Sequence, residues 1–259
     1  MRILLPPSEA KTAGGRGRPV GARPLPGPLA QPRAQVLAAL ATLLGADPAD
    51  AAAALALPSG VADEALAVNR EVCRSRTTAA LRRYTGVVYD GLGFAAMPPP
   101  VQRLAGRSVL IFSGLWGVLR GDEPVPAYRV PAKAVLPGIG VAGTFWRPRL
   151  DEVVPDLLGG GAVIDLRSSD YAAMWRPSGE PATRVISVRV LSRLPRGGHG
   201  VISYNSKLAK GRLAAALLAR EAGGMPCRGI DDIAAAWLAA GGRAVEPGAR
   251  PDRLDLLAD

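Results

Sequence analysis

The sequence predicts an α/β protein of the α+β kind: one compact domain over residues 1–259, with a mixed sheet flanked by helices. Three observations carry this. Short apolar runs rich in Val, Ile and Leu alternate with longer Ala/Leu stretches at helical spacing. No internal repeat interrupts the pattern. The 259 residues are 48% hydrophobic and 21% charged, an ordinary globular balance. That balance excludes wholesale disorder, a collagen-like fibre and a coiled-coil rod.

The elements follow in order. Ile3-Leu4-Leu5 is a strand stopped by Pro6-Pro7. Residues 13–33, dense in Gly, Pro and Arg, are expected as a mobile basic loop inside the domain. Residues 35–56 carry helical spacing, with Asp47-Pro48 capping and starting a second helix. Residues 61–83 read as helix, ending at Arg82-Arg83-Tyr84-Thr85-Gly86. Strands are expected at 107–112, 161–166, 184–190 and 201–204, and helices at 144–158, 208–222 and 231–240. The last of these has an acidic start that suits its dipole. Five strands interleaved with helices leave the strand order open.

Several function classes drop out. No apolar run reaches the roughly 18–20 residues of a membrane span. The opening apolar stretch ends after three residues, which is no signal peptide, so a cytoplasmic protein without membrane partners is expected. Two cysteines, Cys73 and Cys227, and one histidine exclude a disulfide framework, a Cys/His zinc site and a Ser-His-Asp triad. Neither metal nor cofactor is expected.

Lys and Arg total 32 against 22 Asp and Glu, a formal net charge of +10 that favours polyanionic partners: DNA, or a small anionic or nucleobase-like ligand. Most of this charge is arginine in a chain rich in Ala, Gly and Pro, the pattern of a GC-rich coding bias. The four lysines, Lys11, Lys133, Lys207 and Lys210, are the more informative cations.

Four segments place polar groups just beyond an apolar run, where α/β proteins hold ligands. In the first, Ser8 and Thr12 can donate to an anion and Lys11 can neutralise it; no glycine-rich turn with GK[ST] is present. In the second, Ser113-Gly114 can start a helix whose free amides bind an anion, with Arg120 and Arg129 as guanidinium forks. In the third, Asp165 sits inside an apolar strand, either as acceptor for nearby loop amides or as orienter of a lysine. Ser168 and Ser169 cap the segment containing Tyr171 and Trp175. In the fourth, Lys207, Lys210 and Arg212 crowd the start of a helix, with 207 and 210 on one face.

Together these segments resemble the YaaA family of peroxide-stress proteins, as a divergent, actinobacterial-type member, over nearly the whole chain. Ser8-Glu9-Ala10-Lys11-Thr12 stands where the family has Ser-Pro-Ala-Lys-Thr. Tyr84-Thr85-Gly86-Val87-Val88-Tyr89-Asp90-Gly91-Leu92 is similar to its Lys-Gly-Asp-Val-Tyr-Thr-Gly-Leu. Ser113-Gly114-Leu115-Trp116-Gly117-Val118-Leu119-Arg120 is similar to its Ser-Gly-Leu-Tyr-Gly-Val-Leu-Arg, and Pro126-Ala127-Tyr128-Arg129 follows as its Pro-Tyr-Arg does. Phe145-Trp146 also matches. Asp165 replaces an Asn, and Lys207-Leu208-Ala209-Lys210-Gly211 has one cation fewer than the family's Lys-Lys-Ala-Arg-Gly.

The resemblance implies a positively charged cleft, DNA binding through a helix-hairpin-helix-like element, and a role in limiting oxidative DNA damage. Arg82, Arg83, Gly86 and Tyr89 are the residues this places at a phosphate. The competing expectation is an enzyme on a small anionic or nucleobase-like metabolite in the same cleft, of a biosynthetic kind. There Lys11 or Lys207 acts as base or nucleophile, Asp165 orients, Tyr128 or Tyr89 donates a proton and Arg129 grips the substrate.

Overall fold

The computed structural model describes residues 1–22, 24–194, 199–247 and 253–257. In chain order it contains β1 (Arg2–Leu5), α1 (Ala30–Leu44), α2 (Pro48–Ala54), α3 (Ala62–Arg70), β2 (Thr78–Ala79), α4 (Ala80–Arg83), α5 (Val87–Leu92) and α6 (Pro99–Ser108). There follow β3 (Val109–Ser113), β4 (Gly117–Arg120), β5 (Pro124–Val125), β6 (Val135–Leu136), β7 (Gly140–Val141), α7 (Ala142–Leu158), β8 (Val163–Asp165) and α8 (Ser169–Ala172). The chain closes with β9 (Val185–Arg193), β10 (His199–Gly200), α9 (Ser203–Ala222), α10 (Ile230–Ala239), β11 (Ala244–Pro247) and β12 (Arg253–Leu257).

The main sheet runs β11-β12-β9-β8-β1-β3-β4, with β10 added to β9. Strands β12, β9, β8, β1 and β3 are mutually parallel, and β4 and β11 are antiparallel at the edges. Ile3, Leu4 and Leu5 have no exposed surface, and β3 and β8 are buried throughout. Such continuous apolar strands suit a parallel sheet covered on both faces. From β1 the chain moves to β3 on one side, and from β8 to β9 on the other. The strand order therefore switches direction between β1 and β8, and a crevice opens beyond their carboxyl ends.

The mixed sheet agrees with the sequence expectation, and several boundaries differ. Residues 61–83 are not one helix: α3 stops at Arg70, and the chain then pairs Gly17 with Thr77 and β2 with β5. The same contacts tie down much of the 13–33 stretch. Gly17 and Thr77 exchange backbone bonds of 2.9 and 3.3 Å, and the Gly21 amide donates to the Cys73 carbonyl. Residues 30–33 already belong to α1, and Arg33 is a core residue whose guanidinium donates to the Trp116 and Val118 carbonyls and to Glu123. The strand expected at 201–204 is absent, because α9 begins at Ser203; β12, which the sequence expectation does not include, pairs with β9. So short a run as Val201-Ile202-Ser203-Tyr204 does not separate strand from helix start. Helix α7 forms in spite of Pro148 and Pro155, with Trp146, Leu150, Val154 and Leu158 buried. The Asp47 carboxylate caps α2 on the Ala49 amide at 2.8 Å, as expected.

Helices α5 and α9 cross with backbones in contact. A Cβ on Gly211 would lie 2.0 Å from the Val88 carbonyl oxygen, and one on Gly91 2.3 Å from that of Leu208. Backbone atoms cannot swing aside as a side-chain end can, so the helices must separate. Gly211→Ala is expected to destabilise the protein by at least about 2 kcal/mol. Denaturant titration will show this as a lowered midpoint at unchanged slope, while Gly60→Ala, with open space around it, serves as a mild control.

Candidate functional site

The crevice beyond β1 is built by the residues that leave the strand. Pro6 and Pro7 end the pairing, and residues 10–12 turn back to lie antiparallel to the turn between α4 and α5. The Thr12 amide donates to the Arg83 carbonyl at 2.9 Å, and the Thr85 amide to that of Ala10 at 3.2 Å. This places Lys11 opposite Tyr84. The Lys11 ammonium donates to the Ser8 carbonyl at 2.7 Å and sits 4.2 Å from the centre of the Tyr128 ring and 5.3 Å from that of Tyr84. Burial, seconded by the Arg129 guanidinium, holds its pKa down to about 7; Glu9 opposes this shift.

Beneath the lysine runs a file of buried hydroxyls. Ser113 Oγ accepts the Leu115 and Trp116 amides at 3.2 and 3.1 Å and lies 2.6 Å from the Tyr128 hydroxyl, which is 2.5 Å from that of Tyr84. With both lone pairs of Ser113 taken, its proton goes to Tyr128. Burial pushes the Tyr128 phenol up to about 12 and Tyr84 well above its usual value, so both stay protonated. Tyr89 donates to the Pro6 carbonyl at 2.8 Å and fixes α5 to the strand exit. Gly86, whose φ of +94° favours glycine, brings its backbone against the Ser8 hydroxyl.

Arg129 enters from the segment after β5. Asn69, fully buried, accepts its amide at 2.7 Å and donates to its carbonyl at 3.0 Å, while the guanidinium pairs with Glu9. Leu57, Pro58, Val130, Pro131 and Tyr171 complete the walls. Ala56, at the rim, has a φ of +50°, a sparsely populated conformation for a residue with a Cβ.

A second group lies at the β8 exit. The Asp165 carboxylate accepts from the Arg167 amide and from its guanidinium at 2.9 and 2.6 Å. Arg167 lies 4.2 Å from the centre of the Phe112 ring. Lys210, on α9, donates to the Arg167 carbonyl at 3.1 Å; burial lowers its pKa, with Asp165 opposing. Asp165 is thus the acceptor for its own loop, and its charge is matched by Arg167. The substitution of Asn by Asp leaves no uncompensated carboxylate here.

Of the expected site residues, Ser8, Lys11, Tyr128 and Arg129 line one crevice, with Ser113, Gly86 and Tyr89 packed against it. Others are placed elsewhere. Arg83 is wholly buried: its guanidinium donates to the Val125, Thr12, Gly14 and Arg76 carbonyls, which removes it from any surface. Ser113-Gly114 begins the β3–β4 hairpin and no helix, and Ser113 itself occupies the amides expected for an anion. Arg120 forms a two-pronged pair with Asp122, and the Thr12 hydroxyl donates to the Arg82 carbonyl. Ser168 precedes α8 without a side-chain cap bond. Lys207 and Arg212 are exposed on α9.

Two adjoining surface grooves meet at Arg82, which also contacts Gln102 and the Phe94 ring. Arg16 lines one, and Arg103 and Arg107 line the other, with Asp122 as the acid. Arg16, Arg103 and Arg107 carry no signal in the sequence, because only folding brings residue 16 beside α4 and α6. Among the described residues no cluster of His, Cys, Asp or Glu could hold a metal ion. No single described helix is long and apolar enough to cross a membrane.

Fold and site define a parallel-centred α/β protein with a lysine crevice at its strand-order switch point. The chain matches the family described as peroxide stress protein YaaA over residues 1–226. It is 43% identical over 221 residues to a UPF0246 protein of Streptomyces coelicolor, covering 85% of this chain and 83% of the relative. A UPF0246 protein of Corynebacterium efficiens is 35% identical over 221 residues, 84% of each chain. The chain belongs to the YaaA family, a family named for peroxide stress.

The charges around Lys11 are testable by substitution. Arg129→Gln removes a repelling cation and is expected to raise the Lys11 pKa, whereas Glu9→Gln removes a supporting anion and lowers it. The pH dependence of Lys11 labelling by an amine reagent, read by peptide mass spectrometry, reports both directions.

Proposed function

We propose that this YaaA-family protein binds nucleic acid without sequence specificity, through the arginine-lined grooves that meet at Arg82, as part of a peroxide-stress role. The observation that carries this reading is the concentration of Arg16, Arg82, Arg103 and Arg107 around two continuous grooves. Asp122, the acid that lines one of them, is already engaged by Arg120. Guanidinium groups on an open groove suit a phosphate backbone, which gives affinity and position without any reading of bases. The three-residue turn between α4 and α5 lies beside Arg82. The amides of Tyr84 and Thr85 are spent on Ala80 and Ala10, so the arginines carry the binding rather than the turn. The family name and the net charge of +10 support the same reading.

Fluorescence anisotropy with a labelled DNA duplex over a salt series tests it. Affinity is expected to fall linearly on a log–log plot, and Arg82→Ala/Arg103→Ala/Arg107→Ala to reduce the slope by about 2–3, roughly 0.9 for each phosphate no longer neutralised. An unchanged slope in the triple variant rejects the groove as the binding surface.

A further inference from the structure

We propose that the Lys11 crevice is a second, chemically reactive site that takes a small 2-oxo carboxylate, with Arg129 binding the carboxylate and Lys11 Nζ attacking the carbonyl carbon. It shares no lining residue with the arginine grooves, so it stands or falls separately from nucleic-acid binding.

Four features of the site support this. The amine stands over the Tyr128 ring with Arg129 as cationic neighbour, and burial first, then Arg129, holds its pKa to about 7. A large share of Lys11 is then the free amine at neutral pH, the nucleophilic form. The backbone of Arg129 is held on both sides by Asn69. The guanidinium's present partner, Glu9, has a side chain 71% exposed, so a ligand carboxylate can replace it without uncovering a buried charge. Leu57, Pro58 and Pro131 wall the crevice, whose free space is only about 20 Å³, so a ligand of a few carbon atoms enters only as the exposed Glu9 side chain swings away. Finally, the left-handed Ala56 sits at the rim, and backbone conformations of this kind gather at ligand sites.

The chemistry balances without an oxidant. The amine lone pair forms a C–N bond as the carbonyl π pair moves to oxygen. The carbinolamine then loses that oxygen as water, which carries away the two amine protons. The product is an imine, and the reaction is reversible by water.

The test incubates the full chain at pH 7 with pyruvate and cyanoborohydride, which reduces an imine to a stable secondary amine. Peptide mass spectrometry is expected to find the adduct at Lys11, with the exposed Lys133 and Lys207 unmodified. The labelling rate is expected to reach half its maximum near pH 7. Acetone, which lacks the carboxylate, is expected to label Lys11 on the order of tenfold more slowly. Lys11→Arg abolishes the adduct, and in Arg129→Met pyruvate and acetone label Lys11 at equal rates, with an unchanged circular dichroism spectrum. No adduct at Lys11 in the unaltered protein, or an adduct spread over the surface lysines, overturns the proposal. Equal rates with acetone and pyruvate overturn the part assigned to Arg129.

Discussion

One buried guanidinium organises the surroundings of the crevice. Arg83 has no exposed surface, and its N–H donors reach carbonyls in four separate places: Thr12, Gly14, Arg76 and Val125. These belong to the β1 exit, the glycine-rich stretch, the segment leading to β2, and β5. A charge taken out of water must find polar partners, and four carbonyl dipoles supply them. The demand works in reverse on the chain. Each of those loops is held where its carbonyl can meet Arg83, and Lys11 is positioned by the first of them. A lysine would offer one point charge and could not span four acceptors.

Much of the architecture is readable from periodicity alone. Buried strands announce themselves as β-branched runs, and β1, β3, β8 and β9 all lie within a few residues of expectation. The pair β11 and β12 escapes such a reading: the segment around 244–257 alternates with Pro, Gly and Arg, and its strand character comes from docking onto β9. The interruption between α3 and α4 escapes it for a similar reason. Residues 71–79 carry helix-compatible side chains, and what breaks the helix is pairing with residues far away in sequence, Gly17 and Val125.

The candidate site is legible by residue type and less so by role. Ser8, Lys11, Tyr128 and Arg129 stand at strand exits, where polar groups beyond an apolar run are visible in one dimension. Whether a given arginine faces a ligand or the interior depends on what folds over it, and nothing local distinguishes Arg82 from Arg83. The first is open to solvent and the second fully enclosed. Asn69 gives no sequence signal at all, lying within an ordinary amphipathic helix, although it fixes the backbone of Arg129. The Asp165–Arg167 pair shows a compensation two residues apart: a buried acid at a strand end arrives with its own counter-ion. Lys210 then binds the same loop through a carbonyl, which joins α9 to the β8 exit.

The crossing at Gly91 and Gly211 gives the molecule a mechanical property. Most helix pairs are cushioned by side chains that can change rotamer and absorb a shift. Here the two backbones bear directly on each other, without that compliance. Helices α5 and α9 therefore behave as a single stiff strut. One end is pinned to the Pro6 carbonyl by Tyr89, and the other flank is anchored at Arg167 by Lys210. The distance between the exits of β1 and β8 is consequently held by a brace from outside the sheet as well as by the ladder within it.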